Sequence, residues 1–137
     1  MDLIYNEYES KCSGIFFEYA QNGDFFDLIV QKRVIMNDKL VRTFFRQLIA
    51  GVEHLHKNNV AHLDIKLDNL LLTEDFTLKV ADFDLSCFRD EEIVSSKGSK
   101  YFRAPEIIAG CSVDHAASDI FSIGVILFTL KARGLLP

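Results

Sequence analysis

Residues 60–84 read VAHLDIKLDNLLLTEDFTLKVADFD, with polar residues gathered at both ends of a leucine-rich middle. His62, Asp64, Lys66 and Asn69 form the first group, and Asp82 and Asp84 the last. A solvated loop would scatter polar residues without preference for type. A buried strand would exclude two aspartates and a lysine, because each unpaired buried charge is costly. Between the groups, Leu70 to Thr73, a polar turn at Glu74-Asp75, and Phe76 to Val80 have the pattern of a hairpin. Short strands return the chain, so Asp82 can lie beside Asp64 and Asn69. Two carboxylates and an amide oxygen are hard ligands, suited to a magnesium ion that bridges phosphates. Lys66 brings a positive charge to the same cluster, where it would neutralise a phosphoryl group in transfer.

Upstream, the segment DKLVRTFFRQLIAGVEHLHK predicts a helix over 38–57. Val41, Phe44, Phe45, Leu48, Val52 and Leu55 recur at three- and four-residue steps, so one stripe faces a core. Asn37 or Asp38 caps its start, and Asn58-Asn59 suits a left-handed exit. Before it, CSGIFFEYA (12–20) reads as a buried strand ending near Glu18, QNG as a turn, and DFFDLIVQK as a short helix capped by Asp24. Downstream, Ser86 to Lys100 is a polar loop without periodicity. The segment DIFSIGVILFTLK (119–131) is apolar on nearly every side and predicts a helix buried all round. The fold class is α+β, mainly helical.

The composition narrows the function further. Of 137 residues, 49% are hydrophobic and 26% charged, the balance of a globular chain. Fifteen basic against twenty acidic residues give a net charge of -5, which argues against a nucleic-acid partner. Cys12, Cys87 and Cys111 are far apart and without metal spacing, so they read as reduced thiols in an intracellular, cytoplasmic protein. The acidic start MDLIYNEYES is no signal peptide, and the apolar stretch near the end is too short to span a membrane. His54, His56 and His115 read as surface residues. The sequence carries no sign of oligomeric state.

Four short motifs, HLDIKLDN, ADFD, GSKYFRAPE and DIFSIGV, follow one another in this order. Together they resemble the catalytic half of a eukaryotic-type protein kinase of the serine/threonine type, whose motif set includes H-R-D-L-x-x-x-N, D-F-G and A-P-E. The resemblance covers 1–137 as a partial kinase domain. Residues 1–20 correspond to remnant small-lobe strands and the hinge, and residues 21–137 to an incomplete large lobe. It implies ATP and Mg²⁺ as cosubstrate and cofactor, and a protein substrate bearing a Ser or Thr hydroxyl. By the same resemblance Asp64 is the catalytic aspartate, Lys66 the lysine on the γ-phosphate, and Asn69 and Asp82 the metal ligands. Phe17, Glu18, Ala20, Asp24 and Leu71 line the ATP site, with Glu18 and Ala20 acting through their backbone. Ser99 stands where a threonine is bonded to the catalytic aspartate. His62, Phe83 and Asp119 tie loops to the central helix, and Glu106 is the structural acid of the A-P-E motif. Asp24 is explained equally well as a helix cap, and His62 as a hydrogen-bonded structural histidine.

The departures from that pattern are as specific as the matches. Leu63 replaces the arginine that pairs with an activation-loop phosphate, so phosphorylation at Ser95 or Ser96 would not act through this position. Asp84 replaces the glycine after DF, a residue with less freedom in the left-handed region. The seven glycines form no G-x-G-x-x-G phosphate cover, and no V-A-I-K-like strand precedes the hinge. The sequence therefore reads as a truncated kinase domain of doubtful activity by itself. The alternative is an inactive, pseudokinase-like binding module or a non-functional gene fragment.

Overall fold

The computed structural model describes residues 2–3, 15–30, 34–91, 98–110 and 114–132. Ser95, Ser96, Cys12 and Cys111 lie outside these residues. Strands β1 (Asp2–Leu3) and β2 (Ile15–Phe16) pair antiparallel, followed by helix α1 (Phe25–Val30) and the long helix α2 (Asp38–Lys57). Next come β3 (Val60–Ala61), a 3-10 turn (Leu67–Asn69), β4 (Leu70–Leu72), β5 (Leu78–Val80) and β6 (Cys87–Phe88). Helices α3 (Pro105–Ile108) and α4 (His115–Lys131) complete the described order. The result is a mixed α+β fold, mostly helical, with small two-stranded sheets.

Helix α2 forms where its apolar stripe predicts. Val41, Phe44, Leu48 and Val52 are buried along one face, against α4 and β5. Asn37 caps it, its Oδ1 accepting from Leu40 N at 3.0 Å, and Asn59 leaves it with φ 61°. Phe25 of α1 meets Phe44 edge to face, with centroids 4.9 Å apart. Leu70 and Leu72 of β4 join this core from one side, and Ile123, Ile126 and Leu130 of α4 from the other. Each such side chain contributes about 1.5–3 kcal/mol by leaving water.

The hairpin is present, with Leu70 opposite Val80 and Leu72 opposite Leu78. Its second strand starts at Leu78 rather than Phe76, because Phe76 takes φ 60° and extends the turn. The predicted turn before α1 also forms: Gly23, at φ 71°, donates to Ala20 O at 3.1 Å. Two backbone bonds then join this turn to β4, Asn22 N to Leu72 O (3.0 Å) and Leu72 N to Gly23 O (2.9 Å). That stitching sets residues 20–24 beside the hairpin, and hence beside the polar cluster.

Three expectations are corrected. The strand ending near Glu18 is not buried, since Phe16 is 64% and Phe17 75% exposed; among the described residues only β1 pairs with it. The loop from Ser86 to Lys100 contains a strand: Cys87 pairs with Ala61 and Phe88 with Val60. Helix α4 starts at His115, earlier than the apolar run, with Asp114 accepting from Ala116 N at 3.0 Å. It is not buried all round either, because Ile120, Phe121 and Phe128 face solvent.

Candidate functional site

The cluster is built on a backbone that several side chains hold in place. Asp119 of α4, fully buried, accepts from His62 N at 2.9 Å and from Leu63 N at 2.8 Å. Its Oδ2 also accepts from His56 Nε2 at 2.8 Å. These bonds pin Leu63 in a left-handed conformation (φ 64°) that a leucine rarely takes unaided. The Leu63 side chain is buried with Ala61 and Cys87, where an arginine head would have no water.

His62 sets the other side. Its Nδ1 accepts from Asp64 N at 3.2 Å, so the ring proton lies on Nε2, which donates to Ala81 O at 3.0 Å. The ring packs against Phe83, centroids 4.9 Å apart. His62 is thus fully engaged as a structural residue. By gripping Ala81 it also fixes the approach of the next residue, Asp82. The hairpin does the same from the other strand, Ala81 N donating to Asn69 O at 2.9 Å.

Within this frame Asp64 is buried and accepts from three donors, only one of them on Oδ1. Lys66 Nζ donates to Oδ2 at 2.7 Å, Asn69 Nδ2 to Oδ2 at 3.2 Å, and Ser99 N to Oδ1 at 2.7 Å. Ser99 therefore reaches the carboxylate through its backbone, while its Oγ accepts from Lys66 Nζ at 3.1 Å. Burial alone would raise the Asp64 carboxyl, but the bonds from Lys66 and Ser99 outweigh it and hold it below the usual range. Lys66 is raised, chiefly by its bond to Asp64 and further by the charges of Asp68 and Asp82.

The depressed carboxyl stabilises the fold above the ordinary carboxylate range, and that contribution is lost as pH falls through its lowered folded value. The raised ammonium contributes below the ordinary lysine value and is lost as pH rises through its raised one. Lys66→Met is expected to lower the thermal midpoint near neutral pH and to shrink its further fall in acid, because the folded Asp64 value moves back up toward the unfolded one. Superimposable acid limbs would show that this pair contributes nothing.

Asn69 spends its amide hydrogens on Asp64, donating also to Asp64 O at 2.9 Å, and its Oδ1 makes no hydrogen bond among the described residues. Asp82 is exposed, adopts φ 64°, and accepts from Asp84 N only at 3.5 Å. Asp84 itself is not left-handed, so the glycine freedom expected there is used at Asp82 instead. An amide oxygen and a carboxylate with open lone pairs, close to the charge of Lys66, fit a hard divalent cation that keeps water or phosphate as its other ligands. No group of three or more His, Cys, Asp or Glu capable of holding a metal exists among the described residues.

The remaining candidates divide. Asp24 and Leu71 form a bridge to each other, while the Asp24 carboxylate caps α1 by accepting from Asp27 N at 2.8 Å. Glu18 extends outward and pairs with Lys79 at 3.0 Å, and Phe17 is exposed. Ala20 accepts from Gly23 through its carbonyl, and its N–H makes no hydrogen bond among the described residues. Glu106 lies in the first turn of α3, half-buried, with no ion pair among the described residues. His56 and His115, expected at the surface, are half-buried and buried. His56 falls four residues after Val52, so the α2 stripe itself was the signal. His115 Nε2 is satisfied by Glu91 O at 2.7 Å.

The site is thus a buried carboxylate bonded to a lysine two residues on and to an amide five residues on, with the charge of Asp82, returned by a hairpin, acting on that lysine. Comparison gives the family. The protein kinase domain family matches residues 2–136, and the chain belongs to that family. Over 122 residues it is 40% identical to "Serine/threonine-protein kinase GIN4" of Saccharomyces cerevisiae, covering 88% of this chain and 10% of that protein. It is 43% identical over 115 residues to "Carbon catabolite-derepressing protein kinase" of Secale cereale, covering 82% and 23%. With human "NUAK family SNF1-like kinase 1" it shares 37% over 137 residues, 98% of this chain and 20% of that one. The chain thus spans between 10% and 23% of the length of these relatives. No helix among the described residues is long and apolar enough to cross a membrane.

Proposed function

We propose that this chain is the hinge and much of the large lobe of an intracellular serine/threonine protein kinase, which transfers the γ-phosphate of ATP to a Ser or Thr hydroxyl of a protein substrate. Residues 1–20 are read as a small-lobe remnant and hinge, and residues 21–137 as the large lobe. The observation that carries this reading is the set of bonds on Asp64. A carboxylate kept ionised by Lys66 and Ser99 and held in place by Asn69 is a weak base but a fixed acceptor, suited to orienting a hydroxyl in a transfer that needs little proton abstraction. Lys66 would offset charge on the moving phosphoryl group. Asn69 Oδ1 and Asp82 would hold Mg²⁺, which supplies charge neutralisation on the phosphates when bound. By the family resemblance the Ala20 N–H and the Glu18 backbone would bond adenine, with Leu71 as the floor and Phe17 at the back, and Asp24 would meet the ribose.

The test begins with binding. At about a hundredfold excess over Kd, Mg-ATP is expected to raise the thermal midpoint by roughly 5–10 °C. Asp82→Ala should abolish that rise, whereas Asp64→Asn should keep it while removing any transfer to a basic Ser/Thr peptide. No response to Mg-ATP would favour the second reading, a pseudokinase-like binding module. That reading is supported by Asp84 in place of the glycine after DF and by the exposed Phe16 and Phe17.

A further inference from the structure

The segment carrying Ser99 is held by an arginine that no motif singles out. Arg103, half-buried, donates through Nε to Gly98 O at 3.0 Å and through its Nη2 to the same oxygen. Among the described residues it pairs with no carboxylate, so its charge is directed at a backbone carbonyl. The loop it closes is short and otherwise tightly fastened. Phe102 N donates to Ser99 O at 3.0 Å, and Phe102 O accepts from Ser122 Oγ of α4 at 2.7 Å. Gly98 itself lies so close to Leu63 that a Cβ on it would sit 2.5 Å from Leu63 O.

The consequence concerns how the site is kept assembled. An arginine at position 63 would require a negative partner elsewhere in the chain to hold this segment. Leu63 has no such need, because its carbonyl simply abuts Gly98 while Asp119 holds its N–H. The cationic anchor comes instead from within the segment, five residues after Gly98. We propose that Arg103 is a positioning residue, closing residues 98–103 on themselves so that the Ser99 amide stays on Asp64 without any added negative charge. Loop phosphorylation is then not required to order this part of the site. The meaning of this for catalysis rests on the reading of Asp64 given above; the contact itself does not.

The experiment uses the whole chain and heteronuclear NMR. In the unchanged protein the Arg103 Nε–H should exchange more slowly than those of the exposed Arg42 and Arg46. In Arg103→Met, which keeps the stem but has no donor, the Ser99 amide should exchange roughly tenfold faster. Arg103→Lys, which retains a donor, should restore the Ser99 exchange rate toward the unchanged value. An unprotected Arg103 Nε–H in the unchanged chain would overturn the proposal even if Arg103→Met failed to fold. So would a folded Arg103→Met with Ser99 exchange unaltered, or a lysine variant as disturbed as the methionine one. Absence of any thermal response to Mg-ATP alongside the expected Ser99 exchange would instead refute the kinase reading and leave the clamp standing.

Discussion

Asp119→Ala is expected to remove the cooperative unfolding transition altogether. The carboxylate is fully buried and serves His62 N, Leu63 N and His56 Nε2. Alanine would strand two backbone donors in a place water does not reach, at about 1–3 kcal/mol each. It would also release Leu63, whose left-handed backbone carries roughly 1–3 kcal/mol of strain that Asp119 offsets. The sum approaches the whole stability of a small domain, about 5–15 kcal/mol. This chain has little in reserve, with Phe16, Phe17, Tyr19 and Phe128 facing water. Asp119→Asn separates bonding from packing. It keeps the volume and one acceptor oxygen but turns the other toward Leu63 or His62 as a donor, and should lose about half as much. Urea unfolding followed by circular dichroism reads both. An alanine variant within about 1 kcal/mol of the unchanged chain would mean that the loop is held by something other than Asp119.

That residue also shows where sequence reading stopped. Helix α2 was legible because its stripe repeats over twenty residues, and Asn37 marked its start. Asp64, Lys66 and Asn69 were legible because they are crowded within one short stretch, and Asp82 because a hairpin must return. The left-handed state of Leu63 was not, since nothing local distinguishes this leucine; it is imposed by an aspartate 56 residues away. The pairing of β3 with β6 escaped for a related reason. Two-residue strands are too short to show alternation, and their register is fixed by contacts such as Arg89 N to Asn59 O at 2.9 Å. His56 and His115 were misplaced because histidine carries no burial preference of its own; a partner decides. The start of α4 was read late because Ala116 and Ala117 add nothing to an apolar period. Ser99 is placed only through the family resemblance, and Arg103, although inside GSKYFRAPE, has no role there because its partner is a backbone carbonyl that leaves no mark in the sequence.

Gly98→Ala is expected to cost about 3 kcal/mol or more, and Gly23→Ala only about 1, although both glycines have positive φ. At Gly23 (φ 71°) the added methyl would meet nothing within 4 Å, so the backbone conformation is the whole penalty. At Gly98 (φ 98°) it would fall 2.5 Å from Leu63 O, well inside any real contact. The clashing atom is backbone, and its own residue is already fixed by Asp119, so relief must come from the glycine's side. Moving residues 98–103 away draws the Ser99 amide off Asp64 Oδ1 and the Gly98 carbonyl off Arg103. The Gly98 variant should therefore lose its Ser99 amide protection along with stability, and the Gly23 variant should keep it. Equal penalties in denaturant would show that left-handed geometry, not the close approach to Leu63, dictates glycine at both positions. A Gly98 variant with Ser99 still protected would show that this segment and Asp64 are not joined as described.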